Sequence, residues 1–309
     1  MGKRLDAAID EWLLDYKKNS VKVATYSRLR CSYETMLRYP VATKQIDELK
    51  TIDIQRYANQ LAESGYALST IKKELHLLTA FLRHAYAEGE IRTPVYLGVK
   101  PPTETSIRTP AKNIETYSQT EQRKLLKVLN TMEDRLYGAP ILMLETGLRV
   151  GETLALTWKD IDWERRAVRV SKTLVRVGGD QKAFFVQPSP KSKTSNRIVP
   201  LSARAMELLE QLRESSRRAG YIFYDQRDES KPSTYDQLRS RLKTACDRAE
   251  VPYKGNHVFR HTFATNCYNR GCNVKILSKL LGHADVAITY NTYIHLFGDA
   301  LEEMRAVIG

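Results

Sequence analysis

The sequence predicts a mainly α-helical protein in two domains, with a small β-sheet and hairpin confined to the second. Three observations lead there. Apolar residues recur at helical spacing through residues 5–85. A stretch at 98–113 holding Pro101, Pro102 and Pro110 then breaks the periodicity and reads as exposed chain. Beyond it, short runs rich in β-branched and aromatic residues lie between further amphipathic segments. A length of 309 residues suits two domains. The boundaries read as 1–97 for a helical domain, 98–117 for a linker and 118–309 for the second domain.

The first helix carries Leu5, Ala8, Ile9, Trp12, Leu13 and Tyr16 on one stripe. A second runs from about Thr25, with Tyr26, Leu29, Tyr33, Met36 and Leu37. A third begins near Thr51 with Ile54, Tyr57 and Leu61, and a fourth at Ser69, read as its N-cap, with Ile71, Leu75, Leu78, Leu82 and Ala85. Gly89 ends it.

The second domain opens on Ser118-Gln119-Thr120-Glu121, a capping-box pattern before Leu125, Leu126 and Leu129. Residues 140–146 form a mostly apolar helix stopped by Gly147. Strands are expected at 167–170, 184–186 and 197–199, with a turn at Gly178-Gly179-Asp180. Helices follow near 202–213, 233–249, 257–269, 274–281, 285–293 and 300–308.

Composition narrows the function. Lys and Arg total 49 against 36 acidic residues, a net charge of +13. Residues 1–105 hold 16 basic and 13 acidic residues, the remainder 33 and 23, so the excess sits mostly in the second half. A polyanionic partner follows. No apolar run approaches the ~18 residues of a membrane span, and the polar start at Met1-Gly2-Lys3-Arg4 is not a signal peptide, so no membrane partner and a cytoplasmic location are expected. Cys31, Cys246, Cys267 and Cys272 form no CxxC pair, which speaks against a disulfide framework or a zinc site.

Three segments carry the chemistry. They are Thr146-Gly147-Leu148-Arg149-Val150-Gly151-Glu152, then His257-Val258-Phe259-Arg260-His261, then Leu281-Gly282-His283 with Tyr293 ten residues further on. Two arginines, two or three imidazoles and a phenol thus occur in order. That set can attack a phosphodiester with a tyrosine: guanidinium groups neutralise non-bridging oxygens, imidazoles move protons, and a phenol forms the covalent link. Gly147 can make the turn that aims Arg149 into a cleft. Arg260, three residues after His257 on an expected helix, should face the same way. The i, i+4 spacing of His257 and His261 invites a metal reading, but a zincin needs Glu after the first His, where Val258 stands, and no third ligand follows. No metal and no cofactor are expected. Tyr290 competes with Tyr293 but lies seven residues from His283, not ten.

With these motifs in order, the chain resembles a tyrosine recombinase of the phage-integrase family over nearly its whole length, most closely after residue 118. The resemblance implies a C-shaped, two-domain DNA clamp with a helical core-binding domain and a catalytic domain. It implies site-specific strand exchange through a 3′-phosphotyrosyl intermediate, with Tyr293 as nucleophile. Arg149, Arg260 and His283 would hold the phosphate and His257 would handle protons, while Glu152 would orient a neighbouring histidine or arginine. His261 is read as a supporting, more structural residue. The leaving 5′ oxygen would take its proton from a hairpin lysine in Pro190-Lys191-Ser192-Lys193-Thr194-Ser195-Asn196-Arg197; the Lys-Thr-x-x-Arg phrase favours Lys193, with Lys191 as the alternative.

Expected partners are double-stranded recombination sites, three further copies in a homo-tetramer on two duplexes, and accessory DNA-bending proteins. A type IB topoisomerase-like enzyme, an Xer-like dimer-resolving recombinase and a silent DNA-binding regulator stay open, the intact motif set speaking against the last. The hairpin and the first domain look more phage- or transposon-like than Xer-like. Only Met1 to Arg4 precede the first helix, too few residues for a folded arm-binding domain, so this chain, whether naturally two-domain or part of a longer integrase, is expected to recognise core sites with no separate affinity for arm-type sites.

Overall fold

The computed structural model describes residues 2–103, 115–177, 183–188, 196–215 and 220–293. The turn at Gly178-Gly179-Asp180, both Lys191 and Lys193, and the expected helix at 300–308 lie outside them. The chain divides into two compact units, Met1–Asn113 with Arg176–Ala183, and Ile114–Val175 with Phe184–Gly309. Helix dominates both, and the sheets are small and lie in the second part of the sequence.

The first unit is built on α1 (Leu5–Trp12), α2 (Val23–Met36), α3 (Thr51–Glu63) and α4 (Leu68–Ala87). Leu5, Ile9, Ile54, Leu61, Ile71, Leu78 and Leu82 are fully buried between them. Each such side chain contributes roughly 1.5–3 kcal/mol by leaving water. The long α4 is the central strut, touching both α2 and α3.

Local details depart from the sequence reading. The first helix changes to a π-helical turn over Leu13–Lys17. The wider turn takes Leu13 inward and leaves Tyr16 about half exposed, its ring against His84 at 4.2 Å. Leu37, expected on the inner stripe of α2, follows the last helical residue and is exposed. Ser69 does not cap α4; the cap position is Ala67, without a side-chain bond, and Ser69 lies inside the first turn. The chain beyond α4 stays fastened to this unit as far as Lys100, whose N–H and C=O both bond the Gln55 amide at 2.9 Å.

The second unit opens on α5 (Gln119–Leu129) with the expected capping box: Ser118 Oγ accepts from the Glu121 N–H at 3.2 Å, and Glu121 Oε2 accepts from the Ser118 N–H at 2.7 Å. At its centre is α6 (Gly138–Thr146), buried throughout except at Glu145 and almost wholly apolar. The helices α8 (Ala203–Glu214), α9 (Tyr235–Ala249), α10 (Val258–Asn269) and α11 (Val274–Leu281), with the short α7 (Val150–Leu154), make up most of the rest. A three-stranded antiparallel sheet runs β1 (Ile161–Asp162), β2 (Ala167–Val170), β5 (Arg197–Pro200), in register Val168 to Val199. Two hairpins stand apart: β3 (Lys172–Val177) with β4 (Ala183–Pro188), and β6 (Tyr224–Asp225) with β7 (Asp228–Pro232). Strands β1, β3, β6 and β7 were not foreseen: β1 and β6 are two residues long, β7 is polar, and β3 follows β2 after a single residue. The last described helix is α12 (Val286–Tyr293). Among the described residues no helix is long and apolar enough to cross a membrane.

Candidate active site

Two left-handed glycines shape the site. Gly147 ends α6 at φ +66°, and a Cβ there would meet the Phe263 ring at 2.3 Å. Its turn lets the chain reverse and start α7 with Arg149 at the cap position in extended backbone. Gly282 ends α11 at φ +67° and turns His283 out of the helix. Both conformations strain any residue with a side chain.

Arg149 is held by Glu152. Its backbone N–H donates to Oε2 and its Nη1 to Oε1, both at 2.9 Å, and Nη2 donates to the Gly282 carbonyl at 3.2 Å. Its side chain remains about a third exposed, open to a ligand. Glu152 itself is 4% exposed. It also receives the fork of Arg197, Nη1 to Oε1 at 3.0 Å and Nη2 to Oε2 at 2.8 Å, while Arg197 Nε donates to the Leu280 carbonyl at 2.7 Å. Burial alone would raise the Glu152 carboxyl, but the hydrogen bonds and charge of Arg197, aided by Arg149, hold it at about 2.

Arg260, in the first turn of α10, is 4% exposed. Nη1 donates to the Gly147 carbonyl at 2.8 Å, and Nη2 to the Leu281 carbonyl at 2.7 Å and to His283 Nε2 at 2.8 Å. One guanidinium therefore ties together both glycine turns. Burial, then the charge of Arg149, lowers its pKa to about 9, which leaves it protonated at neutral pH. Because a guanidinium offers only donors, His283 Nε2 must be the acceptor. The ring proton then sits on Nδ1 and points to Thr289 Oγ1 at 2.7 Å. Burial and the charges of Arg260 and Arg149 press the His283 imidazole down to about 4, consistent with this neutral form.

Tyr293 closes the set. It is 2% exposed, among Ala264, Leu277 and Leu281. Its Oη lies 3.0 Å from His261 Nδ1, with the two rings edge to face. Burial raises the phenol to about 12, against the opposing pull of Arg260 and Arg149. Tyr290 is about half exposed.

The structure thus links Arg149, Glu152, Arg260, His261, His283 and Tyr293. His257, expected to face the same way as Arg260, lies close enough to Arg260 and Arg149 for their charges to act on its ring, but differs from Arg260 in depth. His257 occupies the cap position before α10 and is exposed, whereas Arg260 one turn later is buried. The protein beneath the ring and the charges of Arg260 and Arg149 nonetheless lower the His257 pKa. His261 is no bystander in position, since it is the imidazole on the phenol. Lys191 and Lys193 lie outside the described residues. Sequence reading also missed Arg197, quoted above only as part of a phrase. Its signal was legible: Arg197 and Val199 share the inward face of a short strand, and a buried arginine requires a carboxylate. Chemically, the arrangement can bind a phosphate diester between Arg149 and Arg260 and bring a phenol to it.

The sequence profile of the phage integrase family matches residues 115–299. A protein of Caldanaerobacter subterraneus described as tyrosine recombinase XerC-like is 32% identical, over 92% of this chain and 77% of its own length. The transposase from transposon Tn916 of Enterococcus faecalis is 28% identical, over 86% of this chain and 68% of its own. Among solved structures, the Tn1549 transposon integrase in complex with transposon right end DNA superposes with a TM-score of 0.83 at 21% identity, covering 99% of this chain and 100% of that one. A lambda integrase dimer bound to a core site gives 0.68 at 18% identity, over 94% and 95% of the two chains.

Proposed function

The chain belongs to the phage integrase family, and from that premise we propose how its residues divide the work of breaking and rejoining DNA. The enzyme is a tyrosine site-specific recombinase, and its product of cleavage is a 3′-phosphotyrosyl link. Tyr293 attacks the phosphorus. Arg149 and Arg260 hold the non-bridging oxygens, whose negative charge grows in the transition state, and His283, whose Nε2 accepts from Arg260, supports the phosphate through that guanidinium. Arg260 has five N–H groups and uses three on Gly147, Leu281 and His283 within the described residues, leaving two for a phosphate. Glu152 fixes Arg149. His257 handles protons at the exposed end of α10. A lysine of the segment between β4 and β5, Lys193 in preference to Lys191, protonates the leaving 5′ hydroxyl. The bond energy stays in the phosphotyrosine, so the reverse attack by a 5′ hydroxyl reseals the strand without a nucleotide or a metal.

The substrate is double-stranded DNA carrying a recombination site, and the working assembly is a homo-tetramer on two duplexes in the cytoplasm, helped by accessory DNA-bending proteins. Residues 1–97 serve as the core-binding domain and 118–309 as the catalytic domain, joined by 98–117. The observation that carries this reading is the Arg260 guanidinium. It bridges the Gly147 turn that presents Arg149 to the Gly282 turn that presents His283, and the next residue touches the Tyr293 hydroxyl.

The test is covalent trapping on nicked duplexes carrying the core sequence that this chain itself selects from a randomised pool. The wild type should form a protein–DNA adduct. Tyr293→Phe should bind the same duplex and form none, and Tyr290→Phe should still form it. An adduct that survives the first change and vanishes in the second moves the nucleophile to Tyr290.

A further inference from the structure

The reaction needs somewhere for the tyrosine proton to go. Tyr293 is 2% exposed, so its hydroxyl is shielded from bulk water. The side-chain nitrogen found on its oxygen is His261 Nδ1, at 3.0 Å. His257, one helical turn earlier on the exposed end of α10, is not the imidazole in contact with it. The backbone keeps the relation fixed: the His261 N–H donates to the His257 carbonyl at 3.1 Å, so His261 sits within the helix and cannot follow His257 outward. The edge-to-face packing of the two rings, centroids 5.8 Å apart, sets the phenol against one edge of the imidazole.

We propose that His261 is a catalytic residue of this recombinase, the base that accepts the Tyr293 hydroxyl proton during cleavage and the acid that returns it during rejoining. This rests on Tyr293 being the nucleophile, and it moves the phenol's proton from His257 to His261. In the forward step the Tyr293 O–H bond breaks and its proton passes to His261 Nδ1. The electron pair left on Oη forms the bond to phosphorus. The bond from phosphorus to the 5′ oxygen breaks, and that oxygen takes a proton from the lysine between β4 and β5. One proton is thus taken up by an imidazole and one is given by an ammonium, and no oxidant or further reactant is needed. Rejoining runs the same path backward.

An imidazole is a far weaker base than a phenolate, so the transfer is uphill in the free enzyme. It becomes favourable only as phosphorus takes the oxygen's electrons. The base is therefore effective in the transition state and leaves the resting phenol intact, as efficient general-base catalysis requires. The imidazolium so formed faces a phosphorane that has gained negative charge, which stabilises both.

The experiment measures adduct formation in single turnover on the selected, nicked duplexes. His261→Ala should bind DNA as the wild type does and form the adduct about a hundredfold more slowly. Added imidazole should recover a large part of that loss. Replacing Tyr293 by 3,5-difluorotyrosine, a more acidic phenol, should shrink the gap in rate between the wild type and His261→Ala. His261→Gln keeps a hydrogen bond to the phenol but cannot hold a proton, so it should be as slow as the alanine form; it also serves as the test if the alanine chain does not fold. A rate close to wild type in either variant overturns the proposal. So does a loss that neither imidazole nor the fluorinated phenol relieves, which would make His261 a positioning residue. An adduct that persists in Tyr293→Phe instead overturns the nucleophile assignment, a distinct outcome.

Discussion

Among the described residues each unit buries one glutamate, and the two are treated in opposite ways. Glu152 in the second unit is 4% exposed and receives four side-chain and backbone hydrogen bonds from Arg149 and Arg197. Glu74 in the first unit is 8% exposed. One of its oxygens accepts from Ser32 Oγ at 3.3 Å, and the other has no hydrogen-bond partner among the described residues. Near it the Tyr57 hydroxyl is also buried without a partner among them. Burial raises the Glu74 pKa, only partly offset by Ser32 and Lys73, whereas the arginines hold Glu152 at about 2. Depth alone does not set the charge of a buried carboxylate; the donors supplied to it do. Where the protein places two cations, burial strengthens the pairing and holds Arg149 in place. Where it places a hydroxyl, burial acts against the charged form.

The largest break in this contrast is Glu152→Ala. It should destabilise the second unit by about 3–5 kcal/mol, because Arg197 is left buried without its carboxylate. Adduct formation should vanish with it. Urea unfolding with fluorinated tryptophans would check this, since Trp12 reports on the first unit and Trp158 and Trp163 on the second. A loss confined to the Trp12 resonance would refute the account. Arg197→Lys should cost less, about 1–3 kcal/mol, since it keeps the charge but loses the fork. Its adduct formation should fall with little change in DNA affinity, because Arg197 acts on Arg149 only through Glu152.

Acid should separate the two glutamates by sign. The folded value of Glu152 lies below its unfolded one, so its contribution is complete above about pH 4 and is lost as pH falls toward 2. Glu74 is raised, so its contribution is complete below about pH 4 and is lost as pH climbs through the folded value. Glu74→Gln should therefore stabilise the first unit at pH 7, by about 1 kcal/mol, and make no difference near pH 3. Equal effects at both pH values would show that Glu74 is not titrating. The smallest effect belongs to Tyr57→Phe. Removing a buried hydroxyl that has no described partner should be neutral or stabilising by less than about 1 kcal/mol, and a clear loss in thermal melting would reveal a partner.

Much of the molecule is legible in short stretches of sequence. The stripes of α3 and α4 and the capping box at Ser118 follow from local periodicity and local hydrogen bonding, which neighbouring residues determine by themselves. The stop at Gly147 is equally plain, because only glycine accepts that backbone angle cheaply. The π turn after Trp12 and the polar strand β7 are not, since no local rule distinguishes them from helix and loop. The order and spacing of Arg149, Arg260, His283 and Tyr293 point to phosphate chemistry, as the residue types carry that chemistry wherever they meet.

Sequence alone could supply the list of candidate groups, their order and the two-part helical plan, because composition, period and glycine placement are properties of short stretches. Tertiary structure alone decided which histidine reaches the phenol. His257 and His261 are one turn apart and chemically identical, and the start of α10 at Val258 puts the first outside and the second against Tyr293. It also decided that Arg197, 45 residues from Glu152, is that carboxylate's principal partner. A hydrogen bond across such a separation depends on where β5, α7 and α11 come to rest, and that is set by the core as a whole.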